Sequence, residues 1–215
     1  MKNINKFIEE ESYTKPTKLC KIMNECGSDK GNGHHNYTTL YNFLWVDIKD
    51  DVKNIFEVGI GSTNPGFTHG MGPDGTIAAS LYGWEKYFKN CDIYSCDIDT
   101  DCLVKTDKIK TFLCDQTDGV AVKELISNIN KDFDIIIDDG LHEFHANKIF
   151  LDNSIHSLKS GGYYIIEDIN MKTKHYNEAK QFVKENKNNY EYIEMIDLPN
   201  PGKNEVDNSI IVIKK

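Results

Sequence analysis

No run of about eighteen apolar residues occurs in the 215-residue chain, so a membrane-spanning helix is not expected. The first residues, "MKNINKFIEEESYTK", have neither the apolar stretch nor the small-residue cleavage site of a secretory signal, and a cytoplasmic location is the expectation. Positive charge is in short supply. Lys and Arg number 25 against 34 Asp and Glu, a formal charge of -9, which argues against a nucleic-acid backbone or an anionic membrane as partner. Cys20, Cys26, Cys91, Cys96, Cys102 and Cys114 form no CxxC pair and no zinc-type spacing with histidine, so they read as reduced thiols. What remains is a soluble globular composition, 39% hydrophobic and 27% charged, long enough to bury one real core.

From about residue 53 apolar runs alternate with helix-like segments, the pattern of βα units that feed a parallel sheet. Seven strands are predicted: "NIFEVGI" (54 to 60), "DIYSCDI" (92 to 98), "KTFLC" (110 to 114), "FDIIID" (133 to 138), "GYYIIED" (162 to 168), "YEYIEMI" (190 to 196) and "SIIVIKK" (209 to 215). Asp118 is placed to cap a helix whose Val122, Leu125, Ile126 and Ile129 make one apolar face; Ala146, Ile149 and Phe150 repeat that spacing after the fourth strand. The last two strands are joined by "DLPNPGKNEVDN", which has no helical period and is short enough for an antiparallel return. The expected fold is a Rossmann-like, doubly wound α/β sheet of seven strands, mostly parallel with one antiparallel edge strand.

Residues 1 to 52 precede the first strand and carry "CGSDKGNGHHNYTTLYNFLW", polar and glycine-rich before an aromatic run. They are expected to form a lid or cap on the domain of residues 53 to 215 rather than a separate domain, with the aromatic run well placed to meet a neighbouring subunit of a homo-oligomer. His34, His35 and His69 fall in segments of the kind that face ligands. Trp84 and Tyr87 read as core residues of the first crossover helix.

Gly59 and Gly61 follow the first strand directly, where a tight turn lets the backbone approach a ligand at the carboxyl end of the sheet, although Asn64 stands where a full GxGxxG fingerprint has its third glycine. The second strand ends in Asp97 and Asp99, either of which could accept the hydroxyls of a ribose, Asp97 being favoured because it closes the apolar run. Asp115 and Gln116 after the third strand stand at an adenine-recognising position. Together these features suggest an adenosine-containing cofactor. The fourth and fifth strands then end in two acidic pairs, Asp138 with Asp139 and Glu167 with Asp168; if these strands are neighbours the pairs converge as oxygen donors for a hard cation. Strand alternation sends Asp138 and Asp139 in opposite directions.

With "FEVGIGS", "DID", "CDQTD" and "IIIDDGLH" in this order, the chain resembles the class I S-adenosylmethionine-dependent methyltransferases. Through "GSDKG…HHNYTTLY" (27 to 41), "GMGPDGTIAASLYGWEKYF" (70 to 88), "DDGLH" (138 to 142) and "YYIIEDI" (163 to 169) it is similar to the metal-dependent sugar O-methyltransferases, including the macrolide-sugar type. Leu141 departs from that pattern, in which serine is common. The resemblance implies S-adenosylmethionine and Mg2+ or a similar hard cation as cofactors, a sugar-containing small-molecule acceptor, Asp139, Glu167 and Asp168 as metal ligands, and His142 as general base, with His145 as the competing base outside the motif. It places Glu57, with Gly59, Gly61, Asp97, Asp99, Asp115 and Gln116, on the cofactor side, and has Asp138 either point towards that side or structure the turn. Tyr37, Thr38 and Tyr41 would close on the methionine end; the alternative is that the two tyrosines form a packed helix face. Other acceptors remain open with the same residues, a phenolic or phosphate-like oxygen, as does a noncatalytic nucleotide-binding subunit. An NAD-dependent oxidoreductase fits less well, for want of the third glycine.

Overall fold

The computed structural model describes residues 2 to 67 and 71 to 215; the candidate His69, and Gly70 at the start of one quoted stretch, lie outside the described residues. Seven strands, β1 (Asn54–Val58), β2 (Asp92–Asp97), β3 (Ile109–Leu113), β4 (Phe133–Asp138), β5 (Leu158–Ile169), β6 (Tyr192–Asp197) and β7 (Ser209–Lys214), form one sheet in the order β3-β2-β1-β4-β5-β7-β6. All seven predicted strands are present. The single reversed strand is β7, antiparallel to both β5 and β6. It lies second from that edge: the return through residues 198 to 208 inserts β7 between β5 and β6, so β6 itself runs with the parallel strands.

Among the described residues seven α-helices flank the sheet: α1 (Ile4–Glu9), α2 (Lys18–Cys26), α3 (Tyr37–Trp45), α4 (Ala79–Tyr87), α5 (Gly119–Ile129), α6 (Phe144–Ser154) and α7 (Lys174–Glu185). The period-two alternation of the strands divides them between two cores. Ile55, Ile93, Ile135, Ile137 and Ile165 pack with residues of α1 to α4, whereas Phe56, Tyr94, Ile136, Tyr164 and Ile166 pack with α5 to α7. Ile135, Ile136 and Ile137 are wholly buried, each contributing about 1.5–3 kcal/mol by leaving water. The Asp118 cap is made, its Oδ1 accepting from the amides of Val120 at 2.9 Å and Ala121 at 3.1 Å. Thr17 caps α2 through the Cys20 amide at 3.2 Å, and Gly27 ends it at φ 83°.

Three rings of the α3 aromatic run are turned into the core. Tyr37, Tyr41 and Trp45 are wholly buried; the Tyr41 and Trp45 rings stack at 4.6 Å, and Trp45 meets Trp84 edge-on at 6.0 Å. The reason is periodic: a four-residue spacing puts all three rings on the stripe that faces the sheet. Trp84 and Tyr87 join the same core, as expected. Among the described residues no helix is long and apolar enough to cross a membrane.

Candidate functional site

The chain crosses from one half of the sheet to the other between β1 and β4, and the carboxyl ends of these neighbouring strands, with β5 beside them, face one rim. Alternation decides which acid goes where. Glu57 and Glu167 share the α1–α4 face with Ile55 and Ile165. Asp139 extends β4 by one residue, its amide donating to the Val58 carbonyl at 3.1 Å, and turns the same way. The three carboxylates meet at the ammonium of Lys30, from the turn before α3: Lys30 Nζ contacts Asp139 Oδ2, lies 2.6 Å from Glu167 Oε2 and 3.6 Å from Glu57 Oε1. Lys30 is 2% exposed. Burial opposes its charge, but Asp139, Glu167 and Glu57 more than reverse that effect and hold its pKa well above the usual lysine range.

A β-bulge brings in the fourth carboxylate. Between Ile166 and Ile169, β5 has one residue more than its partner β7, and Asp168 takes a left-handed backbone at φ 55°. Simple alternation would send Asp168 away from Glu167; the bulge turns it back to the same rim. His142, in the loop after β4, is likewise left-handed at φ 57°. Such a backbone is costly for a residue with a Cβ and persists where surrounding contacts enforce it. Here they do: His142 Nε2 lies 3.2 Å from Asp139 Oδ1 and 3.3 Å from Asp168 Oδ2. Burial alone would lower the His142 pKa, yet Asp168 and Asp139 raise it to about 10.

Three of these four carboxylates are also held from behind. Tyr37 donates to Asp168 Oδ1 at 2.6 Å, and Tyr41 donates to Glu167 Oε1. Ser80 donates to Glu57 Oε1 at 2.6 Å and Trp84 Nε1 donates to Glu57 Oε2. Tyr37 and Tyr41 therefore form a packed helix face that orients acids, and neither is free to close on a cofactor. Thr38, wholly buried, donates to Cys20 Sγ at 3.2 Å and stands apart from the rim. Glu57 lies beneath the rim on the Lys30 side and lines neither cavity beside it.

Among the described residues one set of ligand atoms, from Asp139, His142 and Asp168, lies within 4.8 Å of itself, close enough to surround a cation. The donor chemistry fits a hard divalent ion: Asp139 Oδ1 and Asp168 Oδ2 converge on one point from a second, fixed oxygen each, and the charged imidazole now balances them. Glu167 stands one layer deeper, with an oxygen on Lys30 and an oxygen on Tyr41; each carboxylate oxygen keeps a further lone pair.

Beside this rim runs a cavity of about 270 Å³ lined by Gly59, Asp97, Cys114, Asp115, Gln116 and Leu141. Gly59 and Gly140 also line a second cavity of about 180 Å³ that reaches Lys30, Asp139, His142 and Asp168. Gly59 has φ 88°, and a Cβ there would run into the Asp139 carbonyl oxygen. Gly61 has φ 93° and packs against Met71. Bare backbone therefore lies between the larger cavity and the acids. Asp97 lines the larger cavity, with Oδ2 accepting from the Ile60 amide at 2.8 Å, whereas Asp99 turns inward to the Ser62 hydroxyl and the Asp101 amide. Asp115 spends Oδ1 on the Thr117 amide and hydroxyl.

Gln116 departs from the expected adenine contact, and Asp138 takes the turn-structuring alternative. Gln116 Nε2 donates to both oxygens of Asp138, at 2.7 and 2.8 Å, and its Oε1 accepts from the Leu141 amide at 2.9 Å. This clamp shapes the 138 to 142 turn, so Gln116 offers the cavity its side and not its amide head. Asp138 is wholly buried on the α5–α7 face, opposite to Asp139, and burial raises its pKa to about 6 against the hydrogen bonds that it accepts. His145 is exposed and pairs with Glu143, away from the acids. His35 is buried, stacked on Tyr37 at 4.5 Å, and 3.6 Å from Asp168 Oδ1; His34 is exposed.

Lys30 is the site residue that motif reading passes over, because a lone lysine is ordinarily a surface residue. Asp207 is another. Its carbonyl lies 3.2 Å from the Tyr37 hydroxyl, and its Oδ1 is buried with no hydrogen-bond partner. It sits in a connection with no periodic pattern, where nothing marks one polar residue over the next.

No family model matches the chain. It is similar to the 8-demethyl-8-alpha-L-rhamnosyl tetracenomycin-C 2'-O-methyltransferase of Streptomyces olivaceus, 30% identical over 66% of this chain and 35% of that protein. The L-olivosyl-oleandolide 3-O-methyltransferase of Streptomyces antibioticus is 31% identical over 66% and 34% of the two chains. The chain thus spans about a third of the length of the curated relatives it matches. Among solved structures, the MycE methyltransferase of mycinamycin biosynthesis, in complex with Mg and S-adenosylhomocysteine, superposes with a TM-score of 0.70 at 18% identity over 94% of this chain and 55% of that one. The fold is that of the Rossmann-like methyltransferases.

Proposed function

We propose that the chain is an S-adenosylmethionine-dependent, divalent-metal-dependent O-methyltransferase acting on a hydroxyl of a sugar or a sugar-containing small molecule. Residues 1 to 52 serve as a cap on the cofactor-binding unit of residues 53 to 215. The observation that carries the reading is the convergence of Asp139, His142 and Asp168 beside the Gly59 turn. The sugar acceptor rests on the relatives, which are named for methylation of rhamnosyl and olivosyl groups.

S-adenosylmethionine would supply an activated methyl group, and magnesium would lower the pKa of the acceptor hydroxyl. Asp139 and Asp168 would hold the ion, with Glu167 joining through a free lone pair. Gly59 and Gly61 let the backbone meet the cofactor, and Asp97 accepts from its ribose. The proton of the acceptor goes to His142 Nε2, the atom that now faces both aspartates. Their charge holds the imidazole protonated in this state, so its service as a base requires a cation to take over the carboxylates. Lys30, Tyr37 and Tyr41 keep the acids aimed while the proton moves.

The test is methyl transfer to neutral glycosides with magnesium present. His142→Ala should keep S-adenosylhomocysteine affinity within about threefold and lose turnover by about 10²-fold or more, the range of a general base. Near-normal turnover in that variant would remove His142 from the chemistry.

A further inference from the structure

The carboxylates at the strand ends form two adjacent cation positions that share Asp139. Asp139 Oδ1 and Asp168 Oδ2 face His142 and the smaller cavity. Asp139 Oδ2, Glu167 Oε2 and Glu57 Oε1 face the opposite way and surround the Lys30 ammonium. Three acids from the ends of three neighbouring strands, with Glu57 and Glu167 wholly or almost wholly buried, are thus met by one fixed positive charge. A cluster of that charge in an apolar surround needs a counter-ion to persist.

The chain contains no arginine, so a lysine supplies the charge. An ammonium is compact and suited to a pocket of carboxylate oxygens, in the manner of a small ion. We infer that Lys30 occupies the second position of a two-cation carboxylate cluster, and so limits the site to one exchangeable metal ion while keeping Asp139 aimed at it. Lys30 is a positioning residue: it touches the proposed metal ligands and does not reach the acceptor. The inference rests on the proposed metal use at Asp139 and Asp168.

Two features make the assignment specific. Nζ reaches Asp139 and Glu167 together, so it bridges acids from β4 and β5 as a metal ion would. The remaining oxygens of Glu57 and Glu167 are satisfied by Trp84 and Tyr41, and Ser80 donates to Glu57 Oε1, so of the three acids Asp139 is the one that also faces the smaller cavity. Shortening Lys30 to alanine would vacate a position walled by three carboxylates.

The experiment is a titration with Mn2+, read by the loss of its free-ion electron paramagnetic resonance signal, on the wild type, Lys30→Ala and Lys30→Met. The wild type should bind one ion per chain and Lys30→Ala two. Lys30→Met, which fills the space without charge, should bind one ion at least tenfold more weakly, because Asp139 is no longer held. If Lys30→Ala folds only with Mn2+ present, an ion has replaced the ammonium and the inference stands. One ion per chain at wild-type affinity in Lys30→Ala, or failure of Mn2+ to restore its fold, would overturn it. A wild type that binds no ion would instead overturn the proposed metal function.

Discussion

Removing the Tyr37 hydroxyl should loosen the candidate site by an amount that can be worked out beforehand. Tyr37 is wholly buried and donates at 2.6 Å to Asp168 Oδ1, on a residue only 8% exposed. A buried hydrogen bond to a charged group contributes about 1.5–3 kcal/mol. For a chain of 215 residues the unfolding entropy of ~2.1 cal/mol/K per residue converts that loss to a fall in Tm of about 3–7 °C. Thermal unfolding of Tyr37→Phe, followed by circular dichroism without metal, measures it. Tyr176→Phe is the control: its bond to Asp197 at 2.7 Å is exposed, and its loss should move Tm by no more than about 1 °C. Equal shifts for the two variants would refute the claim that α3 holds Asp168 in place.

Gly59→Ala should cost about 1–2 kcal/mol in left-handed backbone alone, and more from the collision with the Asp139 carbonyl, with S-adenosylhomocysteine affinity falling at least tenfold. Calorimetry with ordinary binding would exclude the close-approach role of this glycine. Asp97→Ala should weaken S-adenosylhomocysteine by about tenfold or more through the lost ribose bonds, while Asp99→Ala, which lies outside the cavity lining, should lower Tm and leave binding within about threefold. The reverse ordering would assign the ribose to Asp99.

The strands were legible because the sheet is buried on both faces, which leaves apolar runs bounded by glycine and acid in the sequence. Glu57 and Asp138 show where legibility ended. The motif put Glu57 on the cofactor side and left Asp138 open between that side and the turn; alternation sends them to opposite cores, one to Lys30 and one to Gln116. Tyr37 and Tyr41 carried both readings in the sequence, and only packing decides between lid and helix face. Asp168 needed a bulge that no local propensity announces. The place of β7 inside its edge depends on a loop whose hydrogen bonds run to the turn before α3, from Asn200 Nδ2 to the His34 carbonyl at 2.7 Å and from Asn36 Nδ2 to the Pro199 carbonyl at 2.8 Å. Such long-range partners are fixed by tertiary structure.

In the proposed function the acids beside Gly59 hold a cation needed for methyl transfer. The most direct measurement is transfer of labelled methyl from S-adenosylmethionine to a rhamnosylated acceptor, first in excess chelator and then with magnesium restored. Turnover should vanish in chelator and return with magnesium, with no return in Asp168→Ala. Undiminished turnover in excess chelator would contradict the claim.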